Sequence, residues 1–250
     1  MDVYWLEQTE ADLPEGIDWL SEAEAKFVNG LRFAPRRSSW RLGRWTAKLA
    51  VAAYLNLQDS ASTLARIEIR PAPTGAPEVF FSDQVVAISA SLSHRNGRAL
   101  CAIAPGAVEL GCDLELIEPH SNGFVDDYFT AEEQALLARR SAADRPWLVA
   151  LLWSAKESAL KALHAGLRLD TRSVVVDPLA TSFDPYEWKP LIVRHAGEKV
   201  FDGWWQVADN FVRTIAAAPR LAQPTLLEVV ANVPDSSPCD PGSRNLVRSR

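Results

Sequence analysis

Three acids stand out by type and spacing. Asp113 and Glu115 lie two apart in Val-Glu-Leu-Gly-Cys-Asp-Leu-Glu-Leu-Ile, residues 108–117. Glu157 lies in Trp-Ser-Ala-Lys-Glu-Ser-Ala-Leu-Lys, residues 153–161. Carboxylate oxygens of this kind suit a hard cation such as Mg²⁺, and Lys161 adds a positive charge beside them. The combination fits chemistry on a pyrophosphate, where neutralising negative charge matters more than covalent help.

Residues 108–117 read as a strand, so alternate side chains face opposite ways. Val108, Leu110, Cys112, Leu114 and Leu116 make one apolar face. Glu109, Gly111, Asp113 and Glu115 make the other. Neighbouring carboxylates on a buried strand repel each other, and a divalent cation removes the repulsion. A solvated strand face is the competing explanation. Gly111 is read as room for a ligand to approach the backbone.

Residues 146–163 carry a helical pattern. Leu148, Leu151, Leu152, Ala155, Ala159, Ala162 and Leu163 share an apolar arc, with Glu157 and Lys161 opposite at i,i+4. An ordinary surface ion pair would explain those two as well. Trp153, large and apolar on the polar side, predicts that another lobe or a ligand covers this face.

Arg37, Arg41, Arg44 and Lys48 recur at helical spacing. Stacked like charges are unfavourable unless something anionic meets them. That anion is either a phosphate, held by bidentate arginine, or acidic neighbours elsewhere in the fold. Ser93-His94 precedes Asn96-Gly97, a turn that would expose the imidazole to phosphate oxygens.

The elements that must hold these residues follow from pattern. A helix is predicted over 21–29, with Ser21 and Glu24 forming a capping box, and a longer one over 38–55. Strands are predicted at 67–70, 87–93 and 98–104, the last two joined around residues 94–97. Residues 71–77, rich in Pro, read as a rigid loop. After Pro105-Gly106 the order partly recurs: the strand 108–117, helices 130–140 and 146–163, then strands 173–176, 191–194, 203–208 and 211–217. Asp209-Asn210 is read as a hairpin turn. The expectation is an α+β protein of two similar lobes, with no residue-level repeat behind the likeness.

Composition fits that reading: 48% hydrophobic and 23% charged over 250 residues. A net charge of −6 argues against a nucleic-acid binder. No signal peptide or membrane span is evident. Cys101, Cys112 and Cys239 have no metal-ligand spacing and read as reduced thiols of a cytoplasmic protein.

Four ordered blocks carry a family resemblance. They are Arg41-Leu-Gly-Arg-Trp-Thr-Ala-Lys48, Ser91-Leu-Ser-His94, Gly111-Cys-Asp-Leu-Glu115 and Trp153-Ser-Ala-Lys-Glu-Ser-Ala-Leu-Lys161. With them the chain resembles the 4′-phosphopantetheinyl transferases, specifically the larger, surfactin-synthetase-activating type. The resemblance implies two pseudo-symmetric α/β lobes with the active site between them. The lobes would be residues 1–106 for coenzyme A phosphates and 107–232 for the metal and catalytic groups, with a disordered tail over 233–250.

It also implies holo-[carrier protein] synthase activity. Phosphopantetheine passes from coenzyme A to a serine of an acyl or peptidyl carrier protein, and adenosine 3′,5′-bisphosphate leaves. Mg²⁺ would sit on Asp113, Glu115 and Glu157. Lys161 would meet a pyrophosphate oxygen, and Ser93 and His94 would lie at the nucleotide's phosphates. Arg44 and Lys48, with Arg41 or Arg37, would hold the 3′-phosphate, and Lys156 would support them. The base is Glu157 or a metal-bound water near Glu115.

One departure is Gly75-Ala-Pro77, where many relatives have Gly-Lys-Pro; Arg70 is the candidate substitute. The carrier is expected near residues 119–129, with Arg139 and Arg140 orienting it. A monomer is expected, with neither nucleic acid nor membrane as partner. The alternatives are an inactive module that binds coenzyme A or carrier, and a Mg²⁺-dependent phosphatase or pyrophosphatase.

Overall fold

The computed structural model describes residues 1–164, 169–179, 184–196 and 199–229. The stretch 233–250 and Cys239, with the expectations placed on them, lie outside the described residues. In chain order the elements begin with β1 (Tyr4–Thr9), α1 (Glu22–Gly30), α2 (Ala34–Tyr54), α3 (Ala61–Leu64) and β2 (Ile67–Pro71). Then come β3 (Pro77–Phe81), β4 (Gln84–Val85), β5 (Ile88–Arg95), β6 (Arg98–Pro105) and β7 (Glu109–Leu116). The second half holds α4 (Asn122–Tyr128), α5 (Ala131–Ala138), α6 (Arg145–Ala162), β8 (Val174–Pro178) and β9 (Lys189–His195). It closes with β10 (Val200–Ala208), β11 (Phe211–Ala218) and β12 (Thr225–Leu226).

The protein is α+β. One sheet has the order β12-β1-β6-β5, a second β7-β11-β10-β9-β8, and a small third β2-β3-β4. Strand alternation builds the layers. On β6, Cys101 and Ile103 pack with α2, while Leu100, Ala102 and Ala104 face the second sheet. On β11, Val212 and Ala216 pack in the α6 core, while Ile215 and Ala217 meet the first sheet. The order through the molecule is therefore helix, sheet, sheet, helix, with a shared core between the sheets.

Both long hairpins turn in two residues. Asn96 and Gly97 have φ of 46° and 74°; Asp209 and Asn210 have 52° and 65°. Such left-handed pairs match strand twist in tight hairpins. The link expected around residues 94–97 is thus narrower, and His94 stays in β5, opposite Ala99. β1 was not foreseen, nor was α4, which lies in the stretch where the carrier was expected. α2 also starts earlier than expected, because Pro35 in its first turn tolerates the missing N–H.

A residue-level echo does exist, contrary to the sequence reading. Trp45-Thr-Ala-Lys48 on α2 matches Trp153-Ser-Ala-Lys156 on α6. Each lysine is fully buried. Lys48 pairs with Glu24 at 2.5 Å and Lys156 with Glu133 at 2.8 Å. Each glutamate is the third residue of a capping box, begun by Ser21 on α1 and by Thr130 on α5. The ammonium groups also donate to carbonyls, Lys48 to Trp19 and Leu64, Lys156 to Thr171 and Val174. Four short patterns far apart in sequence thus make two matching joints.

Gly111 does not open the backbone to a ligand. A Cβ there would lie 1.8 Å from the Ser158 carbonyl oxygen and 2.8 Å from the Ala162 nitrogen. The glycine lets β7 touch the backbone of α6. Gly111→Ala should therefore cost about 3 kcal/mol or more, read from urea unfolding. Lys156→Met, which strands Glu133 in the core, should cost about 3–5 kcal/mol in the same measurement.

Candidate active site

β5 and β7 are edge strands of different sheets, joined by side chains. Ser89 Oγ donates to the Val108 carbonyl at 2.6 Å and accepts from its N–H. Ser91 Oγ accepts from the Cys112 N–H at 2.9 Å. Ser93 Oγ donates to Asp113 Oδ1 at 2.8 Å. The serines alternate along β5, so one face of that strand meets β7 three times.

Asp113 is 4% exposed. Its Oδ1 also accepts from Lys161 Nζ at 2.8 Å, and Lys161 donates again to the Cys112 carbonyl. Glu115 Oε1 accepts from the Trp153 indole N–H at 3.1 Å, and its Oε2 lies 3.5 Å from Arg95 Nε. Burial, then the Asp113 charge, pushes the Glu115 carboxyl up to about 7. The same two causes, in the same order, push Glu157 up. Burial pulls Lys161 down, but Asp113, Cys112 and Glu157 outweigh it, and the net shift is upward. Strand and helix therefore bring the three acids and the lysine into one electrostatic neighbourhood.

Asp113 Oδ2 and Glu157 Oε1 are buried without a hydrogen-bond partner. Orphaned acceptors of this kind call for a donor or a cation. Among the described residues no three acids already stand in a closed cation-holding group. The donor set fits a hard cation that takes two or three carboxylate oxygens and completes its shell with water or substrate oxygens, the habit of Mg²⁺.

A cavity of about 450 Å³ runs beside Lys161. Arg44, Arg70 and Thr74 line its first-half side, and Leu110, Lys161 and His164 its second-half side. Trp40 lies 5.1 Å under the Arg44 guanidinium, and Arg44 Nε has no hydrogen-bond partner among the described residues. Burial lowers the Arg44 pKa, against the opposing pull of Glu24. Arg70 stands on the cavity wall but is tied to Glu68 and Asp83.

Several expected ligand contacts are corrected by the geometry. Lys48 and Lys156 are sealed in the two cores with glutamate and carbonyl partners, and neither ammonium is free for a ligand. The Ser93 hydroxyl serves Asp113. Arg37 donates to the Leu31 carbonyl. Arg41 uses one terminal nitrogen on the carbonyls of Pro14, Glu15 and Gly16, leaving Nε without a partner. The basic stripe is thus mostly answered within the fold, and Arg44 is its member on the cavity wall. His94 is exposed, next to Gly43 of α2. Trp153 packs against Phe124 and Tyr128 of α4, in its own half of the chain. Its bond to Glu115, the approach of Arg95 and the partners of Ser89 and Ser91 were not foreseen. The alternation Ser-x-Ser-x-Ser over residues 89–93 was the readable signal for the last.

Residues 109–200, which include Asp113, Glu115, Glu157 and Lys161, match the 4′-phosphopantetheinyl transferase superfamily. The matched stretch holds the third and fourth of the ordered motifs. Over 71 residues the chain is 45% identical to a holo-[acyl-carrier-protein] synthase of Afipia carboxidovorans, a match covering 28% of this chain and 52% of that protein. The chain thus matches about half the length of that curated relative. The crystal structure of Helicobacter pylori holo-[acyl-carrier-protein] synthase in complex with coenzyme A aligns with 42% of this chain and 99% of that one, at 20% identity and a TM-score of 0.33.

The acid cluster has a measurable signature. Folded Glu115 keeps its proton up to about pH 7, against 4.5 for an ordinary glutamate. Between those values the folded state binds more protons than the unfolded one, so stability falls as pH rises through the window. Without divalent cation, wild type should lose more melting temperature between pH 5 and pH 8 than Glu115→Gln does. Added Mg²⁺ should recover part of the wild-type loss at pH 8. Parallel thermal melts of the two proteins check this.

Proposed function

We propose that this protein is a Mg²⁺-dependent 4′-phosphopantetheinyl transferase of the larger, surfactin-synthetase-activating type. It would move phosphopantetheine from coenzyme A to a serine of an acyl or peptidyl carrier protein. The observation that carries the reading is Lys161. It binds Asp113 of the orphaned acid cluster and also lines the cavity that Arg44 lines from the other side.

In this reading Asp113, Glu115 and Glu157 hold Mg²⁺, which supplies charge neutralisation at the pyrophosphate. The cavity takes coenzyme A. Arg44 on the cavity wall, with His94 beside the adjoining Gly43, would meet the nucleotide's phosphates. The carrier's serine oxygen attacks the phosphorus nearest the pantetheine, forming one P–O bond. The bond from that phosphorus to the bridging oxygen breaks, and adenosine 3′,5′-bisphosphate leaves. Glu157, whose carboxyl is pushed upward, accepts the serine proton. Lys161 faces the charge that develops on the leaving phosphate.

Two pseudo-symmetric lobes, residues 1–106 and 107–232, fit this reading. The matched Lys48–Glu24 and Lys156–Glu133 joints support them, as do strand orders β1-β6-β5 and β7-β11-β10 beside long helices. A chain holding both lobes would act as a monomer. The carrier would dock near α4, with Arg139 and Arg140 close by. The buried free thiols Cys101 and Cys112 are in keeping with a cytoplasmic setting.

An apo carrier protein incubated with coenzyme A and Mg²⁺ should gain about 340 Da, the mass of phosphopantetheine. Asp113→Asn and Lys161→Ala should each slow that gain by at least about 100-fold. Release of phosphate without a mass gain would favour a hydrolase instead. Coenzyme A binding without either product would favour a binding module.

A further inference from the structure

Glu115 is the acid that the fold holds from outside the cluster. Its Oε1 accepts the indole N–H of Trp153 at 3.1 Å, across 38 residues of chain from β7 to α6. The indole is itself clamped. Phe124 and Tyr128, one turn apart on α4, meet it edge-on at 5.2 and 5.1 Å. His120 stacks on Phe124 at 4.5 Å. An edge-on aromatic clamp fixes ring tilt as well as position. The indole nitrogen offers one donor along one direction, so a fixed ring fixes one carboxylate oxygen.

The contrast with the other two acids gives this meaning. Asp113 and Glu157 each keep a buried oxygen with no partner, whereas neither Glu115 oxygen does so. Glu115 Oε2 is left toward Arg95, which is half-exposed and bonded more closely to Glu118, at 2.6 Å against 3.5 Å. Arg95 therefore has another anchor if a second cation approaches Glu115. Trp153 has none: among the described residues its N–H donates to Glu115 alone.

We propose that Trp153 is a positioning residue of the cation site: its N–H, held by the α4 aromatic clamp, presets Glu115 so that the carboxylate's other oxygen meets a divalent cation. The inference rests on the reading of Asp113, Glu115 and Glu157 as the cation's ligands. It adds that α4, which contributes no ligand, forms part of the site through the indole. Groups that orient metal ligands typically change metal affinity by about 10–100-fold when removed.

The test is Trp153→Phe, which keeps an aromatic ring in the clamp and removes the donor. Mg²⁺ binding to the protein without coenzyme A is titrated by calorimetry. The variant should bind at least about 10-fold more weakly than wild type, with an unchanged thermal melt in the absence of Mg²⁺. A second readout is the set of indole N–H resonances. The signal lost in Trp153→Phe identifies Trp153, and in wild type it should move during the titration with the calorimetric midpoint. Equal Mg²⁺ affinity in the two proteins, or a Trp153 signal that stays still while wild type binds, overturns the inference and leaves the proposed function standing. Wild type that binds no Mg²⁺ overturns both.

Discussion

The site depends on a seam between two edge strands that share no backbone ladder. β5 ends one sheet and β7 begins another, and each presents N–H and C=O groups that a buried edge cannot leave unpaired. The serines of β5 answer them. Ser89 serves both backbone groups of Val108, and Ser91 serves the Cys112 N–H. The third serine, Ser93, reaches Asp113 instead. The seam thus ends at the acid around which the site is organised, and the same bonds that close the sheets set where that acid stands. Leu100, Ala102 and Ala104 share a buried core with Cys112 and Leu114 behind the seam. The Ser91–Cys112 bond is buried there, where a low local dielectric strengthens it.

The helices are positioned by a second, repeated constraint. Buried lysines demand partners, and each finds a capping-box glutamate and nearby carbonyls. Such pairs fix the rotation of a helix as well as its depth. On α6 that rotation turns Glu157 and Lys161 toward β7. Counted from Trp45, the corresponding positions of α2 are Leu49, in the first core, and Ala53, both apolar. The frame is duplicated, whereas the ionisable side chains of the cluster occur on α6 alone among the two helices. Arg44, one residue before Trp45, is what α2 contributes to the cavity instead.

The cluster of acids and lysine was more legible in the sequence than the fold. Asp113, Glu115, Glu157 and Lys161 showed themselves because acids on an otherwise apolar strand, and an i,i+4 pair beside a tryptophan, are unusual locally. The capping box at Ser21 and the turn at Asp209-Asn210 were readable for the same reason, since their signals lie within four residues. What failed was long-range. Lys48 and Lys156 looked like ligand contacts because their partners, Glu24 and Glu133, lie more than twenty residues away. Gly111 looked like an opening because the backbone of α6 was invisible from β7. β1, with its polar Glu7 and Gln8, lacked a clean alternation. Glu7 is drawn inward by Arg98 and Arg213, which pattern alone does not announce.

Charge balance links these features. Asp113, Glu115 and Glu157 face one ammonium in their midst, Lys161, while Arg95 is shared with Glu118. Three carboxylates against one ammonium leave an excess of two negative charges in a buried place. Burial first, and the Asp113 charge second, push the Glu115 and Glu157 carboxyls upward. A divalent cation would offset the excess charge. The cavity would then meet a site near neutrality on the α6 side and Arg44 on the α2 side. Under the proposed function, a polyanionic ligand would be attracted mainly at the arginine and would react at the acids, so binding and chemistry would draw on opposite walls.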